Sequence, residues 1–175
     1  MKKVLIVLVV LAALFVALGL MLSNEYRVAR KVTIQADVAR VHELCGDLKN
    51  WPQWAPWEAN DKSIRTTIGE KSSGVGAYQS WKGDNDAGEL TFTRCDPASG
   101  VAWDMNFING DTKMPAKSQL NYTPGASGVE VEWVIEGRME MPVIGPFFAK
   151  LSDRLIGAMF EQGLNKLKSV CEAAK

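Results

Sequence analysis

The hydrophobic pattern passes through three regimes along the chain. It opens with Val4–Leu22, VLIVLVVLAALFVALGLML, 19 residues without a charge or a hydrogen-bonding side chain. At about 1.5 Å per residue such a helix is roughly 28 Å long, close to the thickness of a bilayer's hydrocarbon core. Every face is apolar, which does not suit a core helix of a soluble domain with one wet side. A cleaved signal peptide has a shorter apolar run of about 7–15 residues and a small-x-small site. Ser23, Asn24, Glu25 and Tyr26 offer no such site. The expectation is an uncleaved anchor over residues 1–23 and one domain over 24–175.

The second regime is mixed and then strand-like. Tyr26–Gln35 carries β-branched Val28, Val32, Thr33 and Ile34 and predicts a first strand. Asp37 is placed to cap a helix in which Val38, Val41, Cys45 and Leu48 recur at helical spacing. After Gly46-Asp47 the stretch LKNWPQWAPWEAND holds Pro52 and Pro56, so it is not one regular helix. Short strands with turn residues between them follow: Ile64–Ile68, Ala77–Trp81, Glu89–Cys95, Val101–Ile108, Ala116–Tyr122 and Val129–Gly137. Val129, Val131, Trp133 and Ile135 alternate with Glu130, Glu132 and Glu136, and Trp103, Met105 and Phe107 share one parity. One buried and one wet face predict an antiparallel sheet.

The third regime is helical again. Pro146 suits a helix start, and Phe148, Leu151, Leu155, Met159, Leu164, Leu167 and Cys171 predict one broad apolar stripe. Gly157 and Gly163 inside this helix predict that backbone or a ligand comes close there. A curved antiparallel sheet wrapped around one long helix would enclose a cavity walled by the sheet's inner face. The fold class expected is therefore α+β.

Composition narrows the chemistry. The 20 Lys+Arg balance 20 Asp+Glu, and there is no basic tract. Phosphate backbones demand clustered Lys and Arg, so no nucleic-acid partner is expected. Cys45, Cys95 and Cys171 lie far apart without a CxxC, and His42 is the single His, so no metal and no cofactor are expected. Lys2, Lys3 and the amino terminus favour an inside N-terminus. Arg27, Arg30, Lys31 and Arg40 just after the span argue the other way, but Arg30 and Lys31 belong to the first strand. The expectation is a single pass through the cell inner membrane, with the domain on the periplasmic, extracytoplasmic side. Nothing in the sequence fixes an oligomeric state.

Several side chains could line the cavity. Trp81, Phe92, Trp103, Met105, Phe107, Leu120 and Trp133 come from the strands, and Phe148, Leu155 and Met159 from the last helix. Each tryptophan is equally readable as plain core. Ser118, Tyr122, Gln79 and Tyr78 could supply orienting polar contacts. Trp54, Trp57 and Met141 are candidates for the cavity entrance, Trp51 joining the first two; the tryptophans could equally plug the end of the sheet. His42 has no Ser, Cys or Asp placed by the sequence to complete a triad, so no catalytic residue is expected. The GVG at 74–76 lacks a following Lys and helix and is no phosphate loop.

Three stretches resemble a known group. They are YRVARKVTIQADVARVHELCGDLKNWPQWAPWE (26–58), GVGAYQSWKG followed by GEL (74–90), and IGAMFEQGLNKLKSV (156–170). In these the chain resembles the polyketide cyclase/dehydrase and lipid-transport branch of the START-like, Bet v 1-like superfamily, also called SRPBCC. Ala36-Asp37 stand where that family usually has a Pro, and His42 where it usually has Phe or Tyr. The resemblance implies a helix-grip fold over the soluble part and a hydrophobic small-molecule ligand: lipid, quinone, isoprenoid or polyketide-like. It leaves three functions open. One is a membrane-anchored binding domain. Another is a cyclase, aromatase or dehydratase using the same cavity. The third is a closed scaffold or partner-binding protein.

Overall fold

The computed structural model describes residues 2–173. Helix α1 (Lys2–Met21) leads into β1 (Glu25–Ile34), α2 (Val38–Cys45), a 3-10 turn (Leu48–Gln53) and α3 (Trp57–Asn60). Strands β2 (Arg65–Ile68), β3 (Tyr78–Lys82), β4 (Ala87–Asp96), β5 (Gly100–Asn109), β6 (Thr112–Gly125) and β7 (Gly128–Arg138) follow, and then α4 (Gly145–Glu172). The strands form one antiparallel sheet in the order β1-β7-β6-β5-β4-β3-β2. Its inner face grips α4, as expected of the helix-grip fold. A register shift between Phe92 and Arg94 interrupts the β4–β5 ladder and adds to the curvature.

The expected alternation holds across the sheet. Register aligns the inner-facing residues in rows: Trp81, Gly88, Phe107 and Met114 in one, then Gln79, Leu90, Met105, Ala116, Gly137 and Tyr26 in the next. Phe92, Trp103, Ser118, Ile135 and Val28 form a third row, and Val101, Leu120, Trp133 and Arg30 a fourth. The first two rows lie at the end where the chain leaves α1, because β1 begins at Glu25.

Helix α2 is built as predicted but not capped as predicted. The Asp37 side chain makes no cap bond; its backbone carbonyl accepts from Arg40 and Val41 instead. At the other end the indole N–H groups of Trp51 and Trp54 donate to the carbonyls of Cys45 (2.9 Å) and Leu44 (3.0 Å). Two tryptophans thus satisfy helix-end acceptors that would otherwise be orphaned in the core.

Helix α4 lies along β1, where an inward-facing Arg30 clasps it. Arg30 Nε donates to Glu161 Oε1 (2.7 Å) and Nη1 to Asp153 Oδ1 (2.8 Å), and Nη2 donates to the Asp153 carbonyl (3.0 Å). Both carboxylates hold the guanidinium charged, raising its pKa, with the Asp153 bond the larger cause. Gly157 makes room for this group: a Cβ there would collide with it. Gly163 likewise sits against the Trp133 ring and Pro56. The close approaches expected at these glycines come from side chains, not from backbone or ligand.

Candidate functional site

The interior divides into two halves. In the half away from α1, aromatic rings pack on one another. Trp133 stacks on Phe160 with centroids 4.1 Å apart and planes at 7°, and meets Trp54 (5.5 Å) and Trp57 (5.7 Å) edge-on. Trp51 contacts Trp54, Phe92 and Trp103 at 5.1–5.7 Å. Trp51, Trp54, Phe92, Trp103, Leu120, Tyr122 and Trp133 are buried. Trp54, expected at an entrance, is therefore a core residue. The segment between Pro52 and Pro56 folds inward so that its indole reaches the end of α2. Trp57 stays half-buried beside it.

Ser118 is also committed to this packing. Its hydroxyl accepts from Trp133 Nε1 (3.1 Å) and donates to the Val134 carbonyl (2.8 Å). Tyr122 is buried with a hydroxyl that has no hydrogen-bond partner among the described residues. Its ring lies 6.0 Å from that of His42, whose Nε2 is 3.7 Å from Cys95 Sγ. Burial lowers the His42 pKa and raises those of Tyr122 and Cys45, and it pushes Cys171 up to about 11. Each shift favours the neutral form, so at neutral pH this cluster is uncharged: the tyrosine and the thiols keep their protons and the His42 ring has given its second one up.

The half next to α1 is different. Trp81, Met105, Phe107, Ile68 and Met114 on the sheet, with Ile156 and Met159 on α4, are only half-buried. Trp81 lies over Gly88, where a Cβ would strike its ring, and meets Phe107 edge-on at 6.1 Å. Gly88, Ala116 and Gly137 keep this stretch of the sheet low, and Tyr26 leans over Gly137. Besides the Tyr26 phenol, two polar groups face inward here: Gln79, which is buried, and Thr66, whose hydroxyl has no partner among the described residues. The sequence named Gln79 but missed Thr66. Its signal was register, since Thr66 pairs with Trp81 and takes its parity. Tyr78 points outward, its hydroxyl 3.3 Å from Glu89.

Phe148 and Leu155 do not face the sheet. They are 48% and 62% exposed, on the opposite side of α4 from its packed residues, and only Met159 of the three expected α4 residues reaches the interior. Met141 sits at the junction with α1, beside a pocket of about 420 Å³ that Gly19, Leu22, Pro142 and Val143 also line. A groove of about 930 Å³ opens along this end of the sheet, where Arg27, Asp104, Lys117 and Glu136 meet Tyr26, Met105 and Ala116.

A family model described as polyketide cyclase/dehydrase and lipid transport matches residues 25–172. The chain belongs to this family. The match takes in every element after α1, so family and fold agree over the whole SRPBCC domain. Similar solved structures span the same region. Protein CV1439 from Chromobacterium violaceum superposes with a TM-score of 0.62 at 15% identity, covering 84% of this chain and 98% of its own. Protein Ms6760 from Mycobacterium smegmatis gives 0.60 at 14% identity, covering 85% and 92%. Ara h 8.0201 gives 0.56 at 10% identity, covering 85% and 99%. At these identities the likeness is one of fold. No curated protein matches the sequence.

Proposed function

We propose that this family member is a membrane-tethered binding module for a hydrophobic small molecule: a lipid, fatty acyl chain, quinone or isoprenoid. The observation that carries the reading is the half-exposed inner face beside α1. Aromatic and thioether surface on a curved sheet, with one or two inward polar groups, is the usual make-up of a small-molecule site. Trp81, Met105, Phe107 and Met159 are its apolar wall, and Thr66 and Gln79 orient a polar end of the ligand. Phe92, Trp103, Leu120, Tyr122 and Trp133 form the packed floor against which the ligand stops. The family's description, which includes lipid transport, supports the ligand class.

Helix α1 is the tether in this reading. It is uniformly apolar over the length of a bilayer core and only 6% buried against the rest of the chain. Lys2 and Lys3 favour a domain outside the cytoplasm. The span ends where the open half begins, which keeps the site within reach of membrane-dissolved ligands, so that local concentration takes the place of high affinity.

The test is native mass spectrometry of residues 24–175 purified without detergent, followed by extraction of any bound mass. CV1439 aligns over 98% of its own length, so this fold stands without a preceding helix. A discrete apolar ligand is expected, with Phe107→Asp losing it while keeping the native circular dichroism. An empty protein that also fails to bind a panel of lipids and quinones overturns the proposal.

A further inference from the structure

The first half of α4 carries apolar side chains on two opposite faces. One face packs on the domain through Ala149, Ile156 and Phe160. The other presents Phe148 (48% exposed), Leu151 (44%) and Leu155 (62%), preceded by Ile144 (43%) at the helix N-cap, in steps of four, three and four residues. Those steps make one stripe along a helix. A soluble domain has no reason to line up four large apolar groups in water.

The stripe continues into α1. Phe15 of α1 stacks on Phe147 at the start of α4, with ring centroids 4.6 Å apart and planes at 7°. Gly19 lies so close to the Val143 backbone that a Cβ would collide with it. Phe15 is six residues before the end of α1, hence about 9 Å back along the helix. If α1 spans the bilayer, a ring touching Phe15 sits below the membrane surface, and the first turns of α4 sit with it. Arg154 is exposed beside Leu151 and makes no ion pair among the described residues, so it is placed to meet an anionic headgroup.

We infer that the outward stripe of α4 lies in the bilayer interface, as a second membrane contact beside the span. This rests on the tether reading above. Docked in this way, α4 is half an interfacial amphipathic helix and half a domain helix, and the open half of the interior is held at the level of the headgroups.

The experiment uses the full chain in vesicles of phosphatidylcholine and phosphatidylglycerol. Cys95→Ala removes the half-exposed thiol, leaving Cys45 and Cys171, which are buried. An environment-sensitive fluorophore is attached at Leu151→Cys, at Leu155→Cys or, as a control on the exposed far half of α4, at Lys166→Cys. Doxyl-labelled lipid is expected to quench the first two about twofold or more beyond the third. Leu151→Glu is expected to abolish quenching at position 155. Labels at 151 and 155 that are wet and unquenched, in a chain that resists carbonate extraction, overturn the inference and leave the tether standing. A chain released by carbonate overturns the tether, and the inference falls with it. Labels shielded from water yet unquenched by lipid overturn the inference in favour of contact between copies of the chain.

Discussion

Trp133 and Trp81 lie on the same inner face, three rows of the sheet apart, and do opposite things. Trp133 is enclosed by Phe160, Trp54 and Trp57 and anchored to Ser118. Trp81 rests on a glycine and one phenylalanine edge and stays half-exposed. The residue type is constant; what differs is the cover. Helix α2, the 3-10 turn and α3 lie over one half only, held there by the indole bonds to the end of α2. A wall of aromatic residues becomes a core or a binding surface according to whether a second layer reaches it.

The sharpest way to break this comparison is to remove each ring. Trp133→Ala is expected to cost about 3–5 kcal/mol of unfolding free energy, and Trp81→Ala only about 1–2 kcal/mol. Urea denaturation measures both, and equal costs would contradict the division. Glycine substitution comes next. Gly163→Ala pushes a methyl into the Trp133 ring and Pro56 and is expected to destabilise by about 1–3 kcal/mol. Gly157→Ala displaces the guanidinium at the end of the flexible Arg30 side chain, so the helix-propensity gain of about 1 kcal/mol offsets most of the loss of an ion pair that is partly exposed (26% at Arg30, 62% at Asp153). A near-neutral midpoint for Gly157→Ala beside a lowered one for Gly163→Ala is the expected pair.

The smallest effect is with pH. Burial favours the uncharged His42 ring, so the unfolded chain binds that proton more readily than the native one. The associated stability is complete above about pH 6.5, the unfolded value, and is lost as pH falls toward the lowered native one. The carboxylates of Glu89, Asp96 and Asp153, all held below their ordinary range, add stability at neutral pH that is lost only at more acid pH. His42→Phe is expected to flatten the stability profile between pH 7 and pH 5 as read by chemical denaturation. An unchanged slope would assign that dependence elsewhere.

The apolar N-terminal helix, the seven strands and the inner parity of Trp81, Trp103 and Trp133 were all legible, because each rests on local periodicity. The split of the interior was not. It depends on where the tryptophan-rich segment lands, which is a tertiary outcome. The reversal in α4 did leave a trace. Leu155 and Phe160 are five residues apart, a rotation of about 140° around the helix, so what reads as one broad stripe is two opposed ones. Ser118 shows the remaining gap: its parity was readable, but not that both its hydrogen bonds are spent inside the sheet.

The strand order carries a consequence for synthesis. β1 pairs residue for residue with β7, Glu25 opposite Arg138 through Ile34 opposite Val129, so the first strand made finds its only neighbour in the last. Contacts so distant in sequence form late and slow the search for the native state. On a tethered chain, β1 is the first segment to clear the bilayer, and it carries a bare ladder edge until Arg138 has followed. During that interval neighbouring nascent chains could zip together along the exposed edge. A stall or truncation before β7 would leave the edge permanently open, and chaperone dependence should fall away only once the final strand has been delivered.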